Sequence, residues 1–586
     1  MPEQPSRTVS PRLRNAGMLS GIVFCLVLAL VAGGPTLRHA MAGWTGEEDL
    51  REQIKGTLAL AYLRLTHKPP RTEPYMPIEH VGLSPYGVNT FLEQEVDPEK
   101  VDLSLRLISE AGFDWIRQQF PWEDIEIYGK GDYWDHRWNK SAWEKYDRIV
   151  DLAEKYDIEI IARLDNPPAW SRAVGNAPGW SMAPPDDYED FGDFVYTLVS
   201  RYRGRIRYYQ IWNEPNIFPE WGDQPPDPEG YVRLLQIAYR RAKEADPDCV
   251  IIAAGLAQTI ENAPEDPGSR NLSDLIYLER MYEAGVQGYF DIMGSMVYGL
   301  WTGPMDRRTG PDRTNFSRVQ LLREIMVRHG DGHKPIWATE VGWNALPDDF
   351  AGTAVYGRVS EERQAAYALD AYRRAQREWP WMGVMNYWFF RRPTDQEVDQ
   401  AWYYFRMFEP DFTPLPVYEA FKTMRQEPPA VQIGFYQEDH WALTYSGPWE
   451  WLADEGAVLD ACALGRPGAT LEFDFEGTDL ALVLKDGAHA SQIEVTVNGR
   501  PARLSSPAPE PYTDAPLVTV VRGLRDGRHH VQIRVLEDAG EAGVGIDGLI
   551  VRRRLITQDI LLPGISLLAV IGSGAALYHH RRRGGL

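Results

Sequence analysis

Short apolar runs alternate with helical patterns eight times between residues 79 and 424, and this alternation limits the fold more than any other feature of the sequence. Strands are predicted near residues 79–84, 113–119, 158–164, 206–213, 249–256, 290–297, 334–340 and 383–389. Helices are predicted at 101–111, 142–156, 188–202, 231–245, 272–284, 318–328, 361–378 and 417–424. Repeated strand–helix units favour an α/β fold, a closed parallel (β/α)8 TIM barrel over residues 78–425, with an open doubly wound sheet as the alternative.

The segments on either side of this region have other periods. Residues 432–555 show alternation with a period of two between glycine-rich turns, which predicts an all-β, jelly-roll-like sandwich. Residues 43–77 begin with the capping-box spacing of Thr45 and Glu48. Ile54, Leu58 and Tyr62 then recur at helical intervals, which predicts an amphipathic helix, and a proline-rich linker follows it.

Apolar runs near both ends predict export and attachment to a membrane. Residues 1–42 hold a basic lead of three arginines, Arg7, Arg12 and Arg14, then an apolar run over 17–32 and a small-residue Ala-Met-Ala pattern. Together these are typical of a signal peptide or an uncleaved signal anchor. Residues 560–578 are apolar over the length of a transmembrane helix, and the basic tail 579–586 should stay in the cytoplasm. A buried C-terminal helix is the alternative. We expect a cell-membrane protein whose residues from about 43 to 558 lie on the extracytoplasmic side.

Charge and motif content exclude several classes of function. A formal net charge of −23 argues against a nucleic-acid partner, because phosphate binding requires a basic face. The three cysteines, Cys25, Cys249 and Cys462, fall in different segments and imply no disulfide framework. The sequence has no zinc-protease pattern, no nucleophile-elbow serine motif and no phosphate loop, so we expect neither a metal nor a cofactor.

Two of the predicted strands end in a glutamate. Glu214 follows Asn213 at the end of the run 206–213, and Pro215 next to it cannot donate a hydrogen bond to a sheet. Glu340 ends the run 334–340, three strand–helix units later. On β4 and β7 of a barrel these carboxyls would face one another at the mouth. Two carboxyls about 5 to 5.5 Å apart can serve as the acid/base and the nucleophile of a retaining glycosidase.

The residues around these glutamates resemble a known family. Residues 212–216, Trp-Asn-Glu-Pro-Asn, and residues 339–343, Thr-Glu-Val-Gly-Trp, resemble the signature of glycoside hydrolase clan A, and the proportions resemble family 39. The resemblance covers roughly residues 78–425. It implies that Glu214 is the acid/base and Glu340 the nucleophile of a double displacement on β-linked glycosides or polysaccharide.

The same resemblance implies supporting roles for four further residues. Asn213 should bind the 2-hydroxyl of the sugar. Arg117 and Tyr298 should orient Glu340, and Arg117 should also keep it charged. Trp388 should stack beneath the sugar. The sequence departs from the family pattern at Met296, where many members carry a histidine.

Loop residues supply weaker candidates for carbohydrate binding. Asp165 and Asn166 follow the third predicted strand and could bind a glycone, with a turn cap as the alternative. Tryptophan faces suit the apolar faces of sugars, although loop packing is as common a role. The tryptophans in or near predicted loops are Trp122, Trp134, Trp138, Trp170, Trp180, Trp221, Trp301, Trp343 and Trp402.

Three functions remain open from the sequence. The first is an exported, membrane-tethered retaining glycoside hydrolase. The second is a transglycosylase that remodels envelope polysaccharide with the same residues, and the third is a non-catalytic glycan-binding surface protein. The turns at 524–531 and 545–549 are similar to those of carbohydrate-binding-module-like domains, so the sandwich is either a glycan binder or a spacer. The motifs do not select the sugar, the linkage, or endo or exo action.

Overall fold

The computed structural model describes Arg38 and residues 41–262, 269–485, 488–505 and 517–554. Most of the predicted signal segment 1–42 lies outside these residues, as do all of the predicted transmembrane helix 560–578 and the basic tail 579–586. Within them, no helix is both long enough and apolar enough to cross a membrane. The described chain forms an N-terminal helix, a barrel and a β-sandwich.

Eight parallel strands of the described chain form the barrel. They are β1 (Tyr86–Thr90), β2 (Trp115–Gln119), β3 (Glu159–Leu164), β4 (Tyr208–Ile211), β5 (Val250–Ala253), β6 (Met293–Met296), β7 (Ile336–Val341) and β8 (Met382–Tyr387). Neighbours in the sheet follow the order β5-β4-β3-β2-β1-β8-β7-β6. Bridges of Ile252 with Ile292 and of Leu256 with Ser295 join β5 to β6. The sheet therefore closes, which confirms the predicted barrel.

Helices cover the outside of the barrel. Helix α1 (Leu50–Thr66) precedes β1, and a helix of nine residues or more follows each strand: α2 (Pro98–Glu110), α3 (Glu144–Lys155), α4 (Tyr188–Arg201), α5 (Pro228–Ala245), α6 (Asp274–Glu283), α7 (Val319–Arg328), α8 (Glu361–Glu378) and α9 (Pro416–Met424). The side chains of Asp97, Asp187, Asp227 and Ser360 accept backbone hydrogen bonds at the starts of α2, α4, α5 and α8. These N-caps fix where each helix begins.

The first barrel strand is not where the sequence predicts it. Residues 79–84 are not a strand, and β1 begins at Tyr86 instead. His80 has a φ of +58°, which breaks an extended run, and its carbonyl accepts a hydrogen bond of 3.0 Å from Trp337 Nε1. Leu83 packs against Trp115 and Trp337 in the lower layer of the barrel interior. The apolar residues of this segment therefore close the N-terminal end of the barrel.

Helix α1 also differs from the sequence prediction in two respects. Asp49 is the N-cap, because its carboxylate accepts from the backbone N–H groups of residues 51 and 52, whereas the capping-box pattern pointed to Thr45. The helix buries Gln53, Gly56 and Leu60 rather than its apolar stripe. The helix itself is present over the predicted segment.

The C-terminal domain is a sandwich of two antiparallel sheets. Its strands are β9 (Gly434–Tyr436), β10 (Thr444–Ser446), β11 (Trp449–Ala453), β12 (Ala461–Gly465), β13 (Thr470–Gly477), β14 (Asp479–Leu484), β15 (Ile493–Val497), β16 (Arg500–Pro501), β17 (Leu517–Val521), β18 (Gly527–Val535) and β19 (Val544–Arg552). One sheet has the order β11-β12-β19-β14-β17, with β9 also on β19, and the other has β10-β13-β18-β15-β16. Strands β13 to β15 and β17 to β19 alternate between the sheets, as in jelly-roll-like folds.

The sandwich meets the barrel at the end where β1 begins. Trp441 N donates a 2.7 Å hydrogen bond to the carbonyl of Gly82, and its ring lies edge-on to Tyr86. Arg425, just after α9, lies over the Trp441 ring. These contacts are at the N-terminal end of the barrel, so they leave the opposite mouth, where the strand-end glutamates lie, to the barrel loops.

Candidate active site

Glu340 is the last-but-one residue of β7, and its side chain is held by two donors. Arg117 Nη1 donates to Oε1 at 3.0 Å, and the Tyr298 hydroxyl donates to Oε2 at 2.6 Å. Only 5% of the residue is exposed. Both carboxylate oxygens therefore have a donor in a buried setting, and the two hydrogen bonds hold the carboxylate in place.

Arg117 on β2 connects four strands. Besides Glu340, its guanidinium donates to Asn89 Oδ1 on β1, to Gln210 Oε1 on β4 and to Asn213 Oδ1 just beyond β4, each at 2.7 Å. Burial lowers the pKa of Arg117, and the charge of Glu340 opposes that effect. A buried cation so fully bonded can hold its acceptors in fixed positions.

Glu214 lies opposite in the barrel and has a different environment. Strand β4 ends at Ile211, three residues earlier than Glu214, and a φ of +38° at Glu214 turns the chain sharply at the mouth. Its backbone N–H donates to the carbonyl of Gly255 at 3.1 Å. Burial raises the pKa of Glu214 well above its usual range, and the charges of Glu340 and Glu220 raise it further. Both effects favour the protonated form of this carboxyl.

Glu220 is a third carboxyl at the site, and the sequence did not predict it. Burial raises its pKa to about 7, against the lowering effect of Arg163, while Asp165 and Glu340 raise it further. Its backbone carbonyl accepts a 2.8 Å hydrogen bond from Trp212 Nε1, which fixes the loop. Glu220 follows a proline in a loop rather than a strand, so its sequence context carries no signal beyond its closeness to Glu214.

Aromatic residues surround the two glutamates. The Tyr298 ring packs edge-on against Phe405 at 5.5 Å. Burial, followed by the charge of Glu340, raises the pKa of Tyr298, so its hydroxyl keeps the proton that it donates. Tyr356, which the sequence did not single out, also packs on Phe405, and burial with the charges of Glu214 and Glu340 raises its pKa to about 12.

Trp388 stands just after β8 and is partly exposed at the mouth. Its ring lies edge-on to Phe91 at 5.4 Å, and the peptide bond between Trp388 and Phe389 is cis. Together with Asn89, Phe91 and Arg117, it lines a small cavity beside Glu340's partner arginine. The structure thus brings Trp388 to the same site as both glutamates.

Asp165 and Asn166 have internal partners. Asp165 pairs with Arg163 Nε at 2.8 Å and accepts from Gln119 Nε2 at 2.7 Å. Asn166 has a φ of +50°, and its carbonyl accepts from the backbone N–H of Glu123 at 2.8 Å. The turn alternative therefore describes Asn166, whereas Asp165 and Arg163 lie at the edge of the site, with Arg163 lining the cavity.

The loop tryptophans divide between the core and the surface. Trp122, Trp221 and Trp343 are at most 2% exposed, so their rings are not available for a sugar to stack on. Trp170 is partly exposed, its Nε1 donates to the carbonyl of Glu126 at 2.8 Å, and its ring packs edge-on against Trp122. The exposed ones are Trp134, Trp138, Trp301 and Trp402.

Met296, where the family pattern differs, is buried beside Glu340. Its Sδ accepts a weak 3.4 Å hydrogen bond from Thr339 Oγ1, and 1% of the residue is exposed. It pairs with Glu340 across β6 and β7. The position therefore supplies packing and no polar group.

Comparisons with known proteins match different parts of the chain. Residues 458–557 match the family model described as carbohydrate esterase 2 N-terminal. A β-glucosidase-like chloroplastic protein, SFR2, of Oryza sativa subsp. japonica is 28% identical over 119 residues, which cover 20% of this chain and 18% of that protein. A 6-phospho-β-glucosidase of Clostridium longisporum is 27% identical over 112 residues, 19% of this chain and 22% of the relative. The chain thus spans about a fifth of each curated relative.

Solved structures match over more of the chain at lower identity. A family 39 glycoside hydrolase from Bacteroides cellulosilyticus WH2 is 19% identical, with 77% of this chain and 80% of that chain covered and a TM-score of 0.43. A GH39 enzyme from Xanthomonas axonopodis pv. citri is 15% identical, with 81% and 99% covered and a TM-score of 0.42. At such identities the activity has to be argued from the chain's own residues.

Proposed function

We propose that the chain is a retaining glycosidase that cleaves β-linked glycosides, with Glu340 as nucleophile and Glu214 as acid/base. The observation that carries this proposal is the contrast between the two carboxyls. Arg117 and Tyr298 stabilise the charge of Glu340, whereas burial and neighbouring negative charge keep the proton on Glu214. A glycosidase needs one carboxyl in each state at the same pH.

In the first step, a Glu340 carboxylate oxygen attacks the anomeric carbon and the bond to the leaving oxygen breaks. The proton of Glu214 passes to that oxygen, so the aglycone leaves as an alcohol and Glu214 becomes a carboxylate. The Tyr298 hydroxyl and Arg117 hold the nucleophile in position while its charge is used.

In the second step, Glu214 acts as a base. It takes a proton from water, the water oxygen attacks the anomeric carbon, and the bond to Glu340 breaks. The charge returns to Glu340, where Arg117 and Tyr298 are already placed to receive it. Two inversions give net retention of the anomeric configuration.

The decisive test is the configuration of the first-formed product, followed by NMR of the anomeric proton. A panel of aryl β-glycosides that carry xylose, glucose or a uronic acid should identify the glycone. We expect retention by the wild type and no turnover by Glu340→Ala. Inversion by the wild type contradicts the proposal, because inverting enzymes hold the two carboxyls roughly 6.5 to 9.5 Å apart.

The other two functions give different results in the same assay. A transglycosylase would give mainly longer products when an acceptor sugar is added, and hydrolysis only without it. A glycan-binding protein would bind sugar with no turnover, in both the wild type and Glu340→Ala. We favour catalysis because both carboxyls and their partners are in place.

We further propose that the enzyme is exported and tethered at the cell membrane. The support is in the sequence, where apolar runs with basic flanks stand at 17–32 and 560–578. Protease added to intact cells should remove the barrel and sandwich, and full protection contradicts export. A chain cut after about residue 556 should be released only if the N-terminal segment is cleaved.

A further inference from the structure

Helix α1 carries its large apolar side chains on the solvent side. Leu50, Ile54, Leu58, Tyr62 and Leu65 are 42%, 48%, 67%, 63% and 87% exposed. They follow one another at intervals of three or four residues, so they form one stripe along the helix. Among the residues that the structure describes, 18 large hydrophobic side chains are exposed, and five of them are in this single helix. We call these five residues the apolar stripe.

The opposite face of α1 is fixed to the barrel. Gln53 and Gly56 are buried, and a Cβ at position 56 would come within 2.9 Å of Thr45 Cγ2. Just before the helix, Glu47 pairs with Arg308 at 2.6 Å, and Glu48 pairs with Arg363 on α8 at 2.6 Å. The close packing at Gly56 leaves no room for the bulky stripe, so α1 cannot turn to bury it. A contiguous exposed apolar surface of this kind is typical of a site that contacts another protein or a membrane.

The charged residues around the apolar stripe indicate which kind of surface it contacts. Lys55, Arg64, Lys68 and Arg71 are exposed on or just after α1, although the chain as a whole has a net charge of −23. Lys55 pairs with Glu52 and Arg71 with Glu73. The positive charge beside the apolar stripe therefore comes mainly from Arg64 and Lys68. An apolar stripe flanked by cations is the pattern of a helix that lies in the interface of an anionic bilayer. Trp44, which is 44% exposed just before the helix, adds an aromatic residue of the kind found at membrane interfaces.

The position of α1 in the chain points to the same partner. Seventeen residues separate the end of the apolar run 17–32 from Leu50. Even fully extended, 17 residues span at most about 60 Å, so a membrane anchor there would keep the helix close to the lipid surface.

We propose that α1 lies flat in the interface of an anionic lipid bilayer, with the apolar stripe in the acyl chains and the barrel held against the membrane. This inference rests on the proposed tether. The start of the helix is joined to the mouth of the barrel, because Gly303 N, in the loop after β6, donates to the carbonyl of Gly46 at 3.1 Å. Docking of α1 therefore fixes the direction in which the active-site mouth faces relative to the lipid surface.

The test uses the full chain with Cys25→Ser, since Cys249 and Cys462 are buried. A nitroxide is attached at Leu58→Cys, and the control carries it at Thr444→Cys, an exposed residue of the sandwich. Both are placed in vesicles of phosphatidylcholine with phosphatidylglycerol. We expect the label at residue 58 to collide with oxygen, which concentrates in lipid, and not with a water-soluble nickel complex. The label at residue 444 should behave in the opposite way.

If something other than lipid covers the apolar stripe, the labels give a different result, and each such result contradicts the proposal. Nickel contact at residue 58 in vesicles means that water covers the stripe. Dipolar broadening between labels at residue 58 means that a second copy covers it. Protection from both reagents, in detergent as in vesicles, means that another segment of the chain covers it.

A second variant keeps the test independent of the label at position 58. With a nitroxide at Leu65→Cys, the double substitution Ile54→Glu and Leu58→Glu should expose residue 65 to the nickel complex, and an unchanged collision rate contradicts the proposal. Hydrolysis of a soluble aryl glycoside in detergent should be unaltered. If the chain does not float with vesicles at all, the tether fails, whereas a chain that floats with a water-exposed stripe fails this inference alone.

Discussion

Replacing Tyr298 with phenylalanine should slow the second chemical step more than the first. The substitution removes the hydroxyl that donates to Glu340 Oε2 at 2.6 Å and leaves the ring packed on Phe405. During the first step Glu340 loses charge, so this hydrogen bond weakens. During the second step the charge returns and the bond strengthens. An interaction that strengthens toward a transition state accelerates that step.

The size of the effect follows from the nature of the bond. A hydrogen bond to a charged group contributes about 1.5 to 3 kcal/mol, which corresponds to a rate loss of about 10- to 150-fold in the second step. The covalent intermediate should then accumulate, so kcat and KM should fall together while kcat/KM changes less.

Rapid-mixing kinetics with an aryl glycoside that has a good leaving group can measure this directly. We expect Tyr298→Phe to release a burst of phenol equal to the enzyme concentration, followed by slow turnover. Tyr356→Phe is the matched control, since Tyr356 packs on the same Phe405 while the two donors to Glu340 stay in place. A fall in kcat/KM equal to that in kcat, with no burst, would refute the reasoning.

Four further substitutions test the site and the barrel. Azide should restore turnover to Glu340→Ala with an inverted product and to Glu214→Ala with a retained product, because it enters from the face that each carboxyl vacates. Glu220→Gln removes a charge that raises the pKa of Glu214, so the basic limb of the pH profile of kcat/KM should move to lower pH. Arg318→Met should destabilise the fold by about 3 to 5 kcal/mol, because it leaves the buried carboxylate of Asp274 unpaired.

Each of these has its own control. Exchange of the two azide products would reverse the assigned roles. Glu123→Gln should leave the basic limb in place, as Glu123 is not among the groups that shift Glu214, and a limb unmoved by Glu220→Gln contradicts the coupling. Arg328→Met removes an exposed partner of Glu279 and should change stability by less than about 1 kcal/mol. Equal losses for Arg318 and Arg328, measured by urea unfolding, would contradict the assigned effect of burial.

Seven of the eight barrel strands could be predicted from their apolar and aromatic residues, but β1 could not. Its strand contains Gly87, where a Cβ would collide with the Asn386 side chain, and Asn89, whose side chain bonds Arg117 and the Thr339 carbonyl. Both residues lower the strand signal. Residues 79–84, which close the N-terminal end of the barrel without forming a strand, have the more strand-like sequence of the two segments.

The candidate site residues could be predicted at or just beyond the strand ends and, through the family resemblance, at Arg117 within β2. Glu214 and Glu340 stand at such ends, and so do Tyr298 and Trp388. Glu220 and Tyr356 reach the site from loops whose path depends on the folded barrel, so no local pattern marks them. The sequence also could not predict which face of α1 is buried, because helical spacing defines an apolar stripe but does not show what covers it.

The roles that we propose for the two glutamates follow from where one cation is placed. Arg117 bonds Glu340 directly, but near Glu214 it bonds the neighbouring amide of Asn213 instead. The charge of Arg117 is therefore paired directly with Glu340. At Glu214 the same charge only partly offsets the effect of burial, so the pKa of Glu214 stays raised. Because the acceptors of Arg117 come from β1, from β4 and the loop just beyond it, and from β7, this asymmetry is set by closure of the barrel. The proposed acid and the proposed nucleophile are thus distinguished by the fold as well as by the motifs that contain them.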